Sequence, residues 1–509
     1  MIKTALISVS NKNKVVDFAK QLSKLGVKII SIGKTAKLLR KKKINVILVS
    51  EITKFPEMLD GRIKSIHPNI FAGILADRKN KKHLNELKKL KIEPIDIVVV
   101  NFYPFEESIK KNSKLKNVIE NLDIGGPSLV RAAAKNHENV LVVVDPNDYN
   151  EVIEKIKNGK ISSEFRLNLA AKAFAKTASY DSLINWYFNG LTGNNFPDTL
   201  NLTFKKIQNL RYGENPYQSA AFYQDFFVEH SCVAIAKQLQ GKELSYNNIL
   251  DVDAAFELVK EFEKPAAAVI KHTNPSGVAC DEKIEYAYKL AYEADPKSAF
   301  GCIVAMNRNC NAETAKLMKP LFIEVVICPK FEKNALEILK EKKSLRLLET
   351  CPIKELDKKY DLRKVTGGLL AQTEAPVGLG RKNLKIVTKR KPTKEELNAL
   401  IFAWKVNKHV KSNSVVFAKN DETVGIGAGQ VSRVDAVNIA VLKNGEKING
   451  SVMSSDAFFP FRDGVDQAAE AGVTAIIQPG GSIRDNEVVQ AANEHDIAMV
   501  FTGIRLFKH

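Results

Sequence analysis

Short unbroken runs of valine, isoleucine and leucine punctuate the first third of the chain, and between them apolar positions recur at helical spacing. TALISVS (4–10) gives way to NKNKVVDFAKQLSKLG (11–26), a helical pattern that stops at glycine, and then to VKIISIG (27–33). NVILVS (45–50), IDIVVV (95–100) and NVLVVVD (139–145) continue the series. Runs this apolar suit strands covered on both faces, so the pattern predicts a doubly wound α/β domain around a parallel sheet.

An alanine-rich helical stretch from Leu167 to Tyr187 follows, and FNGLTGNNFPDTLNL (188–202), dense in Gly, Asn and Pro, reads as a linker. The chain is thereby divided into 1–198 and 199–509. In the second part AAAVI, CIVAM, EVVIC, SVVFA, AIIQP and IAMVF alternate with helical blocks such as VDAAFELVKEFEK. Its length suffices for two α/β subdomains, with a boundary expected near 365–390. The chain carries no short tandem repeat, low-complexity tract or heptad pattern.

Composition excludes several classes. Six scattered cysteines without a CxxC pair argue against a zinc ribbon and a secreted disulfide scaffold, and point to a reducing cytoplasm. The opening MIKTALISVSNKNK has too short an apolar run for a signal peptide, and no stretch approaches the ~20 apolar residues of a membrane span. A formal net charge of +19 invites a nucleic-acid reading, because basic surfaces gain affinity by releasing counterions from phosphates. The excess sits in lysine clusters at 40–43, 78–82 and 340–343, among helix-like residues, where charge runs ordinarily face water. Small phosphorylated substrates would feel the same field.

Candidate chemistry gathers where strands end. SIGKTAK (31–37) lies where the second strand should pass into a helix, so its backbone N–H groups, with Thr35 and Lys37, are placed to cradle a phosphate. It is not a Walker loop, because Lys28 stands where the leading glycine is needed, and GIGAGQ (425–430) lacks the last glycine of a dinucleotide fingerprint. DGRIKSIHP (60–68) sets Arg62 and Lys64 on alternate residues, which in an extended segment point to one side and would grip an anion. Tyr103 of NFYPF follows IDIVVV at the carboxyl edge where α/β sheets bind ligands. In NLDIGGPSLVRAAAKNH (121–137), Asp123 precedes two glycines and a helix carrying Arg131 and Lys135 one turn apart. AAAVIKHTNPSG (266–277) runs from a buried strand into Lys271 and His272, after which Asn-Pro-Ser-Gly is expected to turn the backbone. A histidine at a strand end is ordinarily a hydrogen-bonded structural residue.

Taken in order, DGRIKSIHP, NFYPF, DIGGPSLVRAAAKNH, LRYGENPYQ (210–218), VIKHTNPSG, DPKSAFG (295–301), KSNSV (411–415), GIGAGQVSR (425–433) and SDAFFPFRDGVD (455–466) resemble signature blocks of the bifunctional purine-biosynthesis family PurH. The resemblance covers essentially the whole chain. That family joins an aminoimidazole-carboxamide ribonucleotide (AICAR) transformylase to an inosine monophosphate (IMP) cyclohydrolase. The resemblance implies a methylglyoxal-synthase-like core over 1–146, followed by a duplicated pair of cytidine-deaminase-like subdomains without their zinc. It implies that AICAR takes the formyl group of the co-substrate 10-formyltetrahydrofolate, and that formyl-AICAR then closes and loses water to give IMP. A cytoplasmic homodimer is expected, with no metal, nucleic acid or membrane involved.

Carried over position by position, the resemblance implies that His272 takes a proton from the weakly nucleophilic amine, that Lys271 tunes it and serves the folate leaving nitrogen, and that Asn413 orients the formyl group. An Asn413 amide N–H would stabilise the developing oxyanion. Arg211, Tyr212, Asn248, Phe300, Gly301, Glu324, Phe458, Arg505 and His509 would hold AICAR, with Asp463 near the folate and Val434 and Ser482 as further substrate contacts. For the cyclohydrolase, Lys64, Tyr103, Asp123 and Lys135 match the catalytic set, backbone amides near Arg62, Lys64 and Ser65 would support an oxyanion, and Ser8, Ser10, Lys12, Gly33, Thr35 and Lys37 would form the phosphate site.

Three positions depart from the family pattern: Lys34 where a second glycine is usual, Tyr217 in place of histidine, and Cys302 in place of glycine. Two rival readings follow. One is a basic nucleic-acid-binding α/β protein; the other is a chain that keeps the transformylase alone because Lys34 disturbs the phosphate turn.

Overall fold

Five strands build the first sheet: β1 (Thr4–Val9), β2 (Lys28–Ser31), β3 (Ile47–Leu48), β4 (Ile97–Asn101) and β5 (Leu141–Val143). All are parallel, in the order β3-β2-β1-β4-β5. The Val/Ile runs of β1, β4 and β5 are almost wholly buried, which is why they lack the alternation of a half-exposed strand. β3 is shorter than its apolar run, because it pairs only with β2 and gives way to the helix Val49–Thr53. Strand order reverses between β1 and β4, and such a switch point opens a crevice at the carboxyl edge.

In a computed structural model, the structure describes residues 2–111, 114–226, 228, 230–353, 360–373, 378–379 and 384–509. They fall into two units, Met1–Thr203 and Phe204–His509. The helix Ser163–Thr192 starts at Ser162, whose side chain accepts from the Phe165 N–H, and stops at Gly193 in the left-handed conformation. Residues 188–192, read from sequence as linker, are therefore helical. Part of the 365–390 range proposed for the subdomain boundary lies outside the described residues.

The second unit opens with a hairpin of β6 (Phe204–Leu210) and β7 (Ala220–Asp225). Its first half supplies β8 (Lys237–Gln240), β9 (Ala266–Lys271), β10 (Asn274–Cys280), β11 (Cys302–Met306), β12 (Ile323–Cys328) and β13 (Arg346–Glu349). A separate hairpin, β14 (Tyr360–Val365) and β15 (Gly368–Thr373), follows. The second half supplies β16 (Lys385–Ile386), β17 (Val415–Lys419), β18 (Glu422–Gly427), β19 (Val452–Ser455), β20 (Ala475–Gln478) and β21 (Ala498–Phe501). The two halves form one twelve-stranded sheet, β16-β21-β20-β19-β17-β18-β10-β9-β11-β12-β13-β8. Outward from the β10–β18 seam, the orders 10-9-11-12-13-8 and 18-17-19-20-21-16 are the same pattern, which displays an internal duplication.

One face of this sheet carries a continuous core across the seam, built on the helices Tyr246–Val259 and Lys394–Asn407 with Phe256, Leu400 and Trp404. On the other face each half has its own core, beneath the helices Ile284–Ala294 and Arg433–Asn444. These helices press on the seam strands so closely that a Cβ on Gly277 or Gly427 would come within 1.9 Å of the Ala291 or Ala436 carbonyl oxygen. Among the described residues no helix is long and apolar enough to cross a membrane.

Candidate active sites

At the switch point of the first sheet, the ends of β1 and β4 are tied together. Asn101 Oδ1 accepts from the backbone N–H groups of Ser10 and Asn11 at 2.6 and 2.8 Å. Ser8 lies in β1, and at the end of β2 Gly33 opens the helix Gly33–Lys41 at φ +52°, a conformation glycine takes freely. No side chain caps that helix, so its first N–H groups are available to an anion. Lys12 Nζ donates to the Val9 carbonyl and, at 3.0 Å, to Thr35 Oγ1. Burial, then the charges of Lys34 and Lys64, hold the Lys12 ammonium below its usual range. Lys34 thus belongs electrostatically to this edge, and it stands one turn before the exposed Lys37.

Beside this edge, Lys64 Nζ donates to the Tyr103 hydroxyl at 3.1 Å. Asp123 accepts from the Gly126 N–H at 2.7 Å and from the Tyr103 N–H at 3.4 Å, so one carboxylate starts the helix Gly125–Lys135 and fixes the Tyr103 backbone. Burial pushes the Asp123 carboxyl up, against those hydrogen bonds and the Lys64 charge. Ser65 is buried, and its Oγ would lie 3.0 Å from a Cβ on Gly125.

One expectation needs correction here. Arg62 and Lys64 do not share one side of an extended segment, because Leu59–Gly61 is a tight helical turn and Arg62 continues it at φ −65°, ψ −32°. Arg62 consequently pairs with Glu120, while Lys64 turns to Tyr103. Lys135 closes the helix that Gly125 opens, about 15 Å away at 1.5 Å per residue, and no hydrogen bond joins it to Lys64, Tyr103 or Asp123 among the described residues. Its neighbour Arg131 lies over the Phe174 ring at 6.0 Å.

In the second unit, His272 and Thr273 alone connect β9 to β10, since Lys271 pairs with Asn274. Both have positive φ, +52° and +61°, as a two-residue hairpin turn matched to strand twist requires. Asn-Gly is the usual occupant, and a β-branched threonine there costs on the order of 1–3 kcal/mol. The Asn-Pro-Ser-Gly stretch does not turn the chain; it begins β10 and carries a register shift between Pro275 and Gly277. Proline without an N–H suits that irregularity, and Gly277 serves the close approach to Ala291.

The turn stands at an edge where several expected residues meet. Lys271 Nζ donates to the Phe300 carbonyl. Gly301, at φ +69°, donates its N–H to Phe322 O at 2.9 Å, and the Phe300 and Phe322 rings are 4.9 Å apart. Glu324 accepts from Asn248 Nδ2 at 2.8 Å. Asn247 reaches Glu214 O at 3.3 Å, linking the helix of Asn248 to the loop of Arg211 and Tyr212, where the Arg211 guanidinium lies 4.9 Å over the Tyr212 ring. Tyr217 is exposed, and Cys302 is buried with its thiol pushed up to about 12, so it packs rather than reacts. A cavity of about 350 Å³ opens along the seam from Lys271, His272 and Gln430 toward Asp295, Lys443 and Asn444.

Asn413 sits before β17, and the Lys411 N–H bonds Asn274 Oδ1 at 3.2 Å, so its loop adjoins the His272 turn. Its amide is fully engaged. Nδ2 donates to the carbonyls of Gln430 and Val431 at 3.1 and 3.0 Å, and Oδ1 accepts from Arg433. The N–H expected to meet an oxyanion therefore already serves two carbonyls. Arg433 also donates to Asp456, which is fully buried, and to Phe458 O at 2.8 Å.

The last residues are pinned to the same loop. Lys508 O accepts from the Ser412 N–H at 3.0 Å, and the Leu506 N–H donates to Asp456 O at 2.8 Å. Arg505 and His509 flank Phe507 at 4.4 and 5.8 Å. Asp463 and Ser482 make local contacts to the N–H groups of Gly464 and Arg484, and Val434 is half-buried in the helix Arg433–Asn444. No hydrogen bond among the described residues joins these three to the His272 turn.

The sequence reading missed Tyr180, Asp251, Arg433 and Asp456. Tyr180 accepts from the Asp123 N–H at 2.8 Å and packs on Phe102, yet it lies 57 residues along the chain, in a helix with no local mark of a site. Arg433 ends the GIGAGQVSR block, and that position was its only available signal.

A sequence model of the AICARFT/IMPCHase bienzyme family matches residues 133–443, and one of the MGS-like domain matches 14–128. The chain is 52% identical to the bifunctional purine biosynthesis protein PurH of Acetivibrio thermocellus, covering 100% of both sequences. It is 53% identical to the proteins of that name from Thermoanaerobacter sp. and Anoxybacillus flavithermus, again over 100% of each. A crystal structure of ForH is 31% identical over 37% of this chain and 98% of its own, with a TM-score of 0.32. By full-length identity and by the family match, the chain belongs to the PurH family of AICARFT/IMPCHase bienzymes.

Proposed function

We propose that the chain catalyses two consecutive steps: formyl transfer from 10-formyltetrahydrofolate to AICAR by 199–509, and closure of formyl-AICAR to IMP by 1–198. The observation that carries the first assignment is the convergence of Lys271, His272, Asn248, Phe300, Gly301 and Glu324 on one sheet edge beside Asn413.

The AICAR amine is conjugated with an electron-poor ring and attacks weakly, so a base must take its proton as the C–N bond forms. The exposed His272 accepts that proton. The tetrahedral intermediate then expels the folate nitrogen, which takes a proton from the Lys271 ammonium, and Arg211 and Arg505 are exposed cations suited to the ribotide phosphate. Asn413 acts through its fixed orientation, which Arg433 sets by donating to its side-chain oxygen.

In cyclisation the carboxamide nitrogen attacks the formyl carbon of the same molecule, so holding the two ends together removes much of the barrier. Lys12, Thr35 and the uncapped helix at Gly33 hold the phosphate. Asp123, raised by burial, takes the amide proton, and Lys64 with Tyr103 supports the oxygen that leaves as water. Lys135 joins this set only if the substrate or a second chain reaches it. A cytoplasmic homodimer is part of the proposal, and sedimentation velocity tests its stoichiometry.

The test is direct. IMP formed from AICAR with 10-formyltetrahydrofolate, and from formyl-AICAR alone, supports both assignments. Formyl-AICAR accumulating without IMP removes the cyclohydrolase, and no formylation at all, with salt-dependent RNA binding, removes the enzyme reading.

A further inference from the structure

Asp251 lies on the helix Tyr246–Val259 three residues after Asn248, so the two face the same edge. Its Oδ1 accepts from the Thr273 N–H at 2.6 Å. Within the turn, Thr273 Oγ1 and Asn274 Nδ2 both donate to His272 O, at 2.7 and 3.2 Å. Internal bonds cannot decide which way the turn faces the helix. Two consecutive left-handed residues, neither of them glycine and one β-branched, form a conformation that a free loop abandons. It persists where surrounding groups hold it. Burial, and to a smaller extent the charge of Glu324, raises the Asp251 carboxyl, while hydrogen bonds from Thr273 and His272 and the nearby imidazole oppose that rise.

We propose that Asp251 is the positioning residue of formyl transfer: by accepting the Thr273 N–H it locks the His272–Thr273 turn left-handed and aims the imidazole at the attacking amine. This rests on the reading of His272 as the proton acceptor. Asp251 does not touch the reacting atoms. Its effect is on the geometry of the step, and small misplacements of a catalytic group are costly.

The experiment compares D251A, D251N, D251A combined with T273G, and H272A in the full-length chain, measuring kcat and KM of formyl transfer with thermal unfolding as the check on folding. D251A is expected to lower kcat about 100-fold and to change the AICAR KM by less than about threefold. D251N retains an acceptor oxygen and keeps kcat within about threefold of the parent. T273G introduces a residue that takes positive φ without strain and recovers at least about tenfold of the D251A loss. Parent-like kcat in D251A, or a loss relieved by neither asparagine nor glycine, overturns the proposal. Parent-like transfer in H272A overturns the reading of His272 instead.

Discussion

Arg433 holds Asn413 by its side-chain oxygen at 2.8 Å, and the same guanidinium nitrogen reaches buried Asp456, also at 2.8 Å. The ion pair therefore sets the orientation of the asparagine. Replacing Arg433 with methionine leaves the Asp456 carboxylate buried without a cation, which costs about 3–5 kcal/mol. Urea unfolding followed by Trp404 fluorescence in a W186F background measures it. Adding D456N should return part of the loss.

The two assigned reactions are separable by mutation. H272A should lower formyl transfer by about 10²–10⁴-fold and leave closure of formyl-AICAR unchanged. D123N should do the reverse. Coupled assays with each substrate supplied separately decide it.

Burial places the Asp123 carboxyl above its ordinary value of 3.8. Closure that needs the ionised form should therefore fail on the acid side at a pH higher than an unperturbed aspartate would set. The pH–rate profile with formyl-AICAR checks this, and an acid limb at or below 3.8 contradicts it.

Leu506 is buried, and the tail is bonded to Ser412 and Asp456, so the carboxyl terminus is part of the Asn413 loop. Removing residues 505–509 should abolish formyl transfer while cyclisation continues. A truncated chain that still formylates AICAR would show the tail to be dispensable.

Glu261 accepts from Lys408 at 2.6 Å and from His409 at 3.0 Å. Burial alone would raise its carboxyl, but these bonds overcome it and hold the group at about 2. Because the folded value lies below the unfolded 4.5, this stabilisation is complete above pH 4.5 and is lost as pH falls toward 2, about 3 kcal/mol in all. Burial lowers His409 below 6.5, so its contribution already weakens as pH falls through that value. In E261Q, stability should depend less on pH between 4.5 and 2, as urea unfolding across pH would reveal.

The parallel sheet of the first unit was legible because β1, β4 and β5 are continuous Val/Ile runs, and a strand buried on both faces has little other composition open to it. The His272 motif was legible only as a block of letters. Its turn was misplaced by two residues, because Pro and Gly are local turn signals whereas the actual turn uses His272 and Thr273, which carry no such signal. The duplication was not visible as a sequence repeat, since the two halves share strand order and helix placement rather than residues.

The sequence by itself determined the alternation of strands and helices, the family to which the chain belongs, and the residue types at both sites, because periodicity and ordered motifs are written locally. Only tertiary structure decided that Tyr180 supports Asp123, that Asp251 holds the Thr273 amide and that Arg433 engages Asn413. Each of those bonds joins residues about 20 or more apart in the chain, where no propensity or spacing rule operates. Folding alone brings the donor within reach of its acceptor.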